Sequence, residues 1–144
     1  MDPDCDFCDI VRKEEPARDV LRTETIVAFF PLEPATLGHT LVIPRDHIPD
    51  LWALDQDIAQ MIAIATLEVA RAIRNAMKPD GLNIIQSNGQ AATQTVAHLH
   101  VHVAPRWKHD AMGAIWPDQT DYAADDKDKA CRMVRAAIQE SHHA

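Results

Sequence analysis

The chain has 144 residues and a formal net charge of −8, a length suited to one hydrophobic core. That acidity argues against general nucleic-acid binding, which needs a basic face for the phosphates. No apolar run reaches the length of a membrane span, the acidic start Met1-Asp2-Pro3-Asp4 lacks the basic and apolar regions of a signal peptide, and three cysteines make no disulfide framework.

These features predict a soluble, cytoplasmic protein with neither nucleic acid nor membrane as partner. They leave room for a small phosphorylated ligand, because a local site can differ in charge from the whole surface. With 47% hydrophobic residues but only 5% aromatic ones, the core has to be built mainly from Leu, Ile, Val and Ala.

In chain order, Cys5 and Cys8 open a segment that reads as a short helix over 10–13, stopped by Pro16. Val20–Thr23 and Ile26–Phe30 read as a β-hairpin turning near Glu24. Pro31-Leu32-Glu33-Pro34 is a loop, since two prolines remove ladder donors. Thr40–Pro44 reads as a third strand, with Gly38 giving the chain freedom to turn into it.

Asp55 is placed to N-cap the main helix. Ile58, Met61, Ile62, Ala65, Val69, Ala72, Ile73, Ala76 and Met77 follow its period and are expected to face the core. Pro79-Asp80-Gly81 ends that helix. Leu82–Gln86 reads as a fourth strand and Ser87–Gln94 as a loop of small residues. Residues 107–121 read as irregular. A last helix is expected over 126–140, with Ala130, Met133, Val134, Ala137 and Ile138 inward and Cys131 in the core. Ser141-His142-His143-Ala144 is expected to fray. Strands grouped before and after one long helix, rather than alternating with helices, argue for an α+β fold with a mostly antiparallel five-stranded sheet.

The fifth strand carries the most information. In Thr95-Val96-Ala97-His98-Leu99-His100-Val101-His102-Val103-Ala104-Pro105 three histidines alternate with apolar residues. Period-2 alternation sends Leu99, Val101 and Val103 to a core and His98, His100 and His102 to the opposite face. Same-side residues on a strand lie about 6.6–6.8 Å apart, so neighbouring imidazoles can share one phosphate-sized ligand. Three readings stand at this point: a half-buried strand whose polar positions happen to be His, a metal cluster of all three, and a nucleophile towards phosphorus. Neutral imidazole is a good nucleophile near pH 7.

Ala-His-Leu-His-Val-His-Val-Ala-Pro resembles the signature of the histidine triad (HIT) family of nucleotide hydrolases and transferases. The resemblance continues through Asn88-Gly89, Gln94-Thr95-Val96, the stretch Gly38-His39-Thr40-Leu41-Val42-Ile43-Pro44-Arg45-Asp46-His47, and Cys5-Asp6-Phe7-Cys8. It implies one HIT domain over 1–144, with its core at 5–106 and a C-terminal extension at 107–144.

It also implies roles. The middle histidine, His100, is the nucleophile; His102 contacts the phosphate; His39 lies beside them. The loop residues Asn88, Gln94 and Thr95 join His102 in binding nucleotide phosphate. The sequence departs from the family at Ser87, where Asn or Gln is usual, and at Pro31, where Asp or Asn commonly bonds the ribose. Glu33 is the nearest substitute for that contact.

A CxxC by itself fits a redox pair, half a zinc site or two inert cysteines. The resemblance selects a structural zinc held by Cys5, Cys8, His47 and His98, leaving His100 and His102 for phosphate. The implied activity is hydrolysis of nucleoside phosphoramidates, dinucleoside polyphosphates or related nucleotidyl conjugates through a covalent nucleotidyl-histidine intermediate. The alternatives are a nucleotide-binding regulatory protein with incidental turnover, a nucleotidyltransferase, and a metal-binding module using all the His and Cys residues. Transferases of the family tend to carry Gln at the third position, so His102 favours hydrolysis. The resemblance further implies a homodimer.

Overall fold

In the structure, a computed structural model describing residues 2–13 and 18–143, all five strands run antiparallel to their neighbours. β1 (Arg18–Arg22), β2 (Ile26–Phe30), β3 (Thr40–Pro44), β4 (Gly81–Gln86) and β5 (Val101–Arg106) form one open sheet in the order β1-β2-β3-β5-β4. The helices are α1 (Asp6–Arg12), α2 (Gln56–Met77) and α3 (Ala124–His143). The class is α+β, as expected. Pro16, the expected helix stop, lies outside the described residues.

Alternation along the strands gives the sheet two apolar faces. Val27, Phe29, Leu41 and Ile43 form one, covered by Phe7, Ile10 and Val11 of α1. Ile26, Ala28, Val42, Val101 and Val103 form the other, joined by Leu99 and packed on Ile62, Ala65, Val69 and Ile73 of α2. Each Val, Leu, Ile or Phe among them contributes about 1.5–3 kcal/mol when fully buried.

α1 has seven residues, too few to be stable alone. It begins earlier than its sequence suggests because Cys5 caps it, its Sγ accepting from the Cys8 N–H at 3.4 Å. Arg22 of β1 holds the other end by donating to the Val11 and Ile10 carbonyls at 3.1 and 2.6 Å. α2 is capped as expected, Asp55 accepting from the Ile58 N–H at 2.9 Å. Its expected inward set is too generous: Met61, Ala72, Ala76 and Met77 are exposed. The apolar arc of the helix is wider than the strip one sheet face covers.

Gly38 turns the chain into β3 with φ +92°. A Cβ there would also meet the Pro105 ring at 3.2 Å, so both backbone and packing favour glycine.

β5 starts only at Val101, so His98 and His100 precede it instead of standing within it. The β3–β5 pairing ends at Val42↔Val101. Beyond it Pro44 has no N–H to donate, and its carbonyl is taken by the His98 ring. The Leu99 N–H turns to the Ile48 carbonyl at 2.6 Å. The alternation nonetheless holds, since Leu99, Val101 and Val103 all lie in the α2-side core.

Met1–Gly113 forms one compact unit and Ala114–Ala144 a second. Residues 107–113 therefore belong with the sheet. Asp110 receives two nitrogens of Arg106 at 2.8 and 3.0 Å and caps the Trp107 N–H at 3.0 Å. The Arg106 guanidinium holds the Asp110 carboxyl well below the usual range.

In the second unit α3 extends three residues past the expected end, to His143, so Ser141, His142 and His143 are helical, and Ala144 lies outside the described residues. Its apolar stripe is present, but Ala130, Met133, Val134, Ala137 and Ile138 are exposed, as is Cys131, which accepts from Arg135 at 3.4 Å. Helical periodicity marks the face able to be buried; it supplies no surface to bury it against.

Candidate functional site

The three histidines of the motif divide between two clusters. His98 is fully buried. Its Nε2 lies 2.8 Å from the Pro44 carbonyl, which can only accept, so the ring proton sits on Nε2 and Nδ1 keeps its lone pair. That Nδ1 faces two sulfurs, Cys5 Sγ at 3.4 Å and Cys8 Sγ at 3.6 Å. His47, just after β3, brings its Nδ1 to 3.4 Å from Cys8 Sγ. The four donor atoms lie within 4.8 Å of one another.

Two sulfurs and two imidazole nitrogens converging in this way fit a structural zinc ion with a closed tetrahedral shell. Burial pushes the Cys5 thiol pKa up, and only a bound cation makes two buried thiolates favourable there. α1 thus serves two ends: its apolar face covers the sheet, and its first turn delivers both cysteines. Among the described residues this is the one grouping suited to a metal ion, and it leaves His100 and His102 out.

His100, 6% exposed, turns the other way. Its Nδ1 is 2.8 Å from the His98 carbonyl. The carbonyl accepts, so Nδ1 carries the proton and Nε2 is left with a free lone pair. Phe7 packs edge-on against His98 and His100, with centroids 5.9 and 5.1 Å apart, and against Phe29 at 5.6 Å. The ring orientation is therefore held by both a hydrogen bond and packing.

His102 completes the row, its centroid 5.0 Å from that of His100. β3 brings His39 to it, His39 Nε2 lying 2.9 Å from His102 Nδ1. The Ala35 N–H donates to His39 Nδ1 at 3.0 Å. A backbone N–H has no other role, so His39 carries its proton on Nε2 and donates it to His102 Nδ1. His102 in turn carries its proton on Nε2. Burial, with His100 and His39 nearby, lowers the His102 pKa to about 4. Burial followed by His100 lowers that of His39. Both rings are neutral near pH 7, and the chain of tautomers is fixed from the backbone outward.

The loop before the triad, expected to bind phosphate, is held in shape by its own side chains. Asn88 Oδ1 accepts from the Leu51 N–H at 2.7 Å, and its amide pairs reciprocally with Gln86 at 2.6 and 2.9 Å. Gln94 accepts from the Gly89 N–H at 2.8 Å and donates to the Pro49 and Val96 carbonyls at 2.7 and 3.0 Å. These two side chains pin the loop to the segment before α2. Thr95 lines a cavity of about 200 Å³ together with Asp2, Asp4, Asp6, Cys5 and His47, on the metal side. Gly89, at φ 85°, provides the turn. Pro31 and Glu33 stand in the β2–β3 loop, with Glu33 exposed.

Sequence reasoning missed Phe7, Gln86 and the Pro44 carbonyl. Phe7 sits inside the CxxC and was visible as an apolar residue between two ligands. A backbone carbonyl leaves no mark in a sequence.

The chain is similar to known proteins over most of its length. The HIT domain family model matches residues 12–109. "Protein hit" of Bacillus subtilis is 39% identical over 118 residues, 81% of each chain. Adenosine 5'-monophosphoramidase HNT1 of Saccharomyces cerevisiae is 34% identical over 125 residues, 85% of this chain and 76% of that one. Among solved structures, a Zn-bound histidine triad family protein from Mycobacterium smegmatis superposes with a TM-score of 0.71 at 32% identity, covering 96% of this chain and 97% of the other.

Proposed function

The chain belongs to the HIT family, and from that premise we propose that it hydrolyses nucleotidyl conjugates, nucleoside phosphoramidates foremost, through a nucleotide bound covalently to His100. The carrying observation is the 2.8 Å contact from His100 Nδ1 to the His98 carbonyl, which leaves Nε2 as the nucleophile. Nε2 attacks the α-phosphorus, forming a phosphorus–nitrogen bond. The bond to the amine or phosphate leaving group breaks, and that group departs with the electron pair, an amine taking up a proton from solvent as it leaves. Water then attacks the same phosphorus, the bond to Nε2 breaks, and a nucleoside monophosphate leaves. Dividing one displacement into two is the advantage of covalent catalysis.

His102 is the donor to a phosphoryl oxygen through Nε2–H. His39 positions it: with His39 Nε2–H occupying His102 Nδ1, His102 presents the opposite nitrogen as N–H. An amidase relative supports the phosphoramidate class. The loop over 87–95, with Asn88, Gln94 and Thr95, meets the phosphate beside His102, and the hydrogen bonds of Asn88 and Gln94 to Leu51 and Pro49 hold it in place. The zinc site is structural and takes no part in the steps.

The test is a rapid quench of the protein with an adenosine phosphoramidate, followed by intact-mass and peptide analysis. A nucleotidyl adduct on the peptide carrying His100, absent in His100→Asn, is the expected result. Turnover by His100→Asn at the wild-type rate overturns the reading.

The same proposal includes a homodimer. β4 is an edge strand. Beside it lies a groove of about 590 Å³ lined by Leu54, Ala59, Ala63, Leu67, Leu82 and Ile84, with Ile84 48% exposed. Thr66 Oγ1, in the same groove, is buried without a partner. A two-fold copy pairing β4 with β4 covers the edge and the groove together. Light scattering is expected to give twice the 16.1 kDa chain mass, and Ile84→Glu to give the chain mass.

A further inference from the structure

The two imidazoles of the zinc site present the same nitrogen to the sulfurs but differ in what stands behind them. His98 is held by the Pro44 carbonyl at 2.8 Å. Among the described residues, no backbone carbonyl stands behind His47 in that way. Its Nε2 faces Asp2 Oδ2 at 3.8 Å. We propose that Asp2 is a positioning residue for the metal: its carboxylate orients His47 through Nε2–H, so that Nδ1 points at the ion.

The N-terminal turn is built for this. Asp2 Oδ1 accepts from the Asp4 N–H at 2.9 Å, and the Asp2 carbonyl accepts from the Cys5 N–H at 3.4 Å. One carboxylate oxygen therefore anchors the turn while the other is turned towards His47. The turn ends at Cys5, itself a ligand, so the ligand and the group that orients another ligand are joined by three peptide bonds. The 200 Å³ cavity at this side is lined by Asp2, Asp4, Asp6, Cys5 and His47. It is the solvent side of the site, and Asp2 is the carboxylate in it that faces a ligand nitrogen within 4 Å.

A carboxylate behind a ligating imidazole fixes the tautomer, aims the ring and raises its basicity, and losing such a partner costs about 10- to 100-fold in metal affinity. Asp4 and Asp6 line the cavity, and among the described residues Asp2 is the carboxylate set against His47, so Asp4 and Asp6 add general attraction for a cation and no orientation.

The experiment uses the full chain loaded with zinc. Its zinc affinity is read by competition with a chromogenic chelator, in wild type, Asp2→Asn and Asp4→Asn, at low salt and at 1 M salt. Asn retains an oxygen to accept from the Asp4 N–H, which preserves the turn. The expected result is a 10- to 100-fold weaker zinc Kd for Asp2→Asn that persists at 1 M salt, and less than about threefold for Asp4→Asn. The metal-free melting temperature should be the same in Asp2→Asn and wild type.

Equal effects of the two variants that vanish at high salt would reduce Asp2 to bulk attraction and overturn the proposal. A fall in the metal-free melting temperature as large as that of the zinc-loaded protein would assign Asp2 to the fold alone. Wild type that takes up no zinc would overturn the metal site itself, and with it this role.

Discussion

Two residues apart in the chain, His98 and His100 differ in almost everything that matters chemically. His98 donates from Nε2 to the Pro44 carbonyl and turns Nδ1 to the sulfurs. His100 donates from Nδ1 to the His98 carbonyl and keeps Nε2 free. Both rings are buried, and both pack against Phe7. What separates a metal ligand from a nucleophile is which nitrogen a backbone carbonyl claims. Alternation in the sequence treats the two as equivalent; the acceptors around them do not.

The strongest way to break this contrast is at His100. The variant His100→Asn is expected to lower turnover of a nucleoside phosphoramidate by about 10⁴-fold or more, as loss of a nucleophile does, while still binding one zinc per chain. Stopped assays and metal analysis on the same preparation check both halves. Loss of zinc from this variant would show that the two clusters are not separate.

The reciprocal change is His98→Ala. Zinc binding energy is folding energy, so the variant, like wild type stripped by a chelator, is expected to lose several kcal/mol of stability. A melting temperature within a few degrees of the zinc-loaded protein would remove the structural role.

The next effect concerns His102, whose Nε2–H is the proposed donor. Loss of one such donor costs about 10²–10³ in rate. His102→Ala is therefore expected to be slow but active, with zinc content and melting temperature close to wild type. A rate loss as large as that of His100→Asn would make His102 part of the bond-forming step.

A smaller effect is expected from pH. His102 has a folded pKa of about 4, against an unfolded value near 6.5, and His39 is shifted in the same direction. Between these values the unfolded chain binds more protons. The stability from these groups is therefore fully present above pH 6.5 and is lost as pH falls towards 4. His102→Gln should flatten the dependence of urea midpoint on pH over that window. An unchanged slope would mean that other groups, the zinc ligands first among them, carry the acid sensitivity.

The smallest concerns the sugar. Pro31 offers no hydroxyl partner, whereas sites built to bond a hydroxyl reject analogues lacking it by about 10⁴–10⁵. Ribose and deoxyribose phosphoramidates are expected to differ by about tenfold or less in kcat/KM. A much larger ratio would give the ribose contact to another group, with Glu33 the first to mutate.

Short-range signals specify the local pieces of this protein. β3 and the start of α2 are legible because hydrophobic period, proline and a capping aspartate are short-range signals. The same holds for the assignment of Leu99, Val101 and Val103 to a core, which follows from the pleat alone. The grouping of Cys5, Cys8, His47 and His98 was legible only through resemblance, since 93 residues separate Cys5 from His98.

Tertiary structure decided the rest. It placed the start of β5 at Val101, because Pro44 ends the ladder and lends its carbonyl to His98. It tied Asn88 and Gln94 to Leu51 and Pro49, which come from a segment some forty residues earlier. Within its own unit it left the apolar stripe of α3 exposed, because amphipathy describes one surface and burial needs two. Above all it chose the tautomers, since the acceptors that fix them are main-chain carbonyls, and every residue type carries the same one.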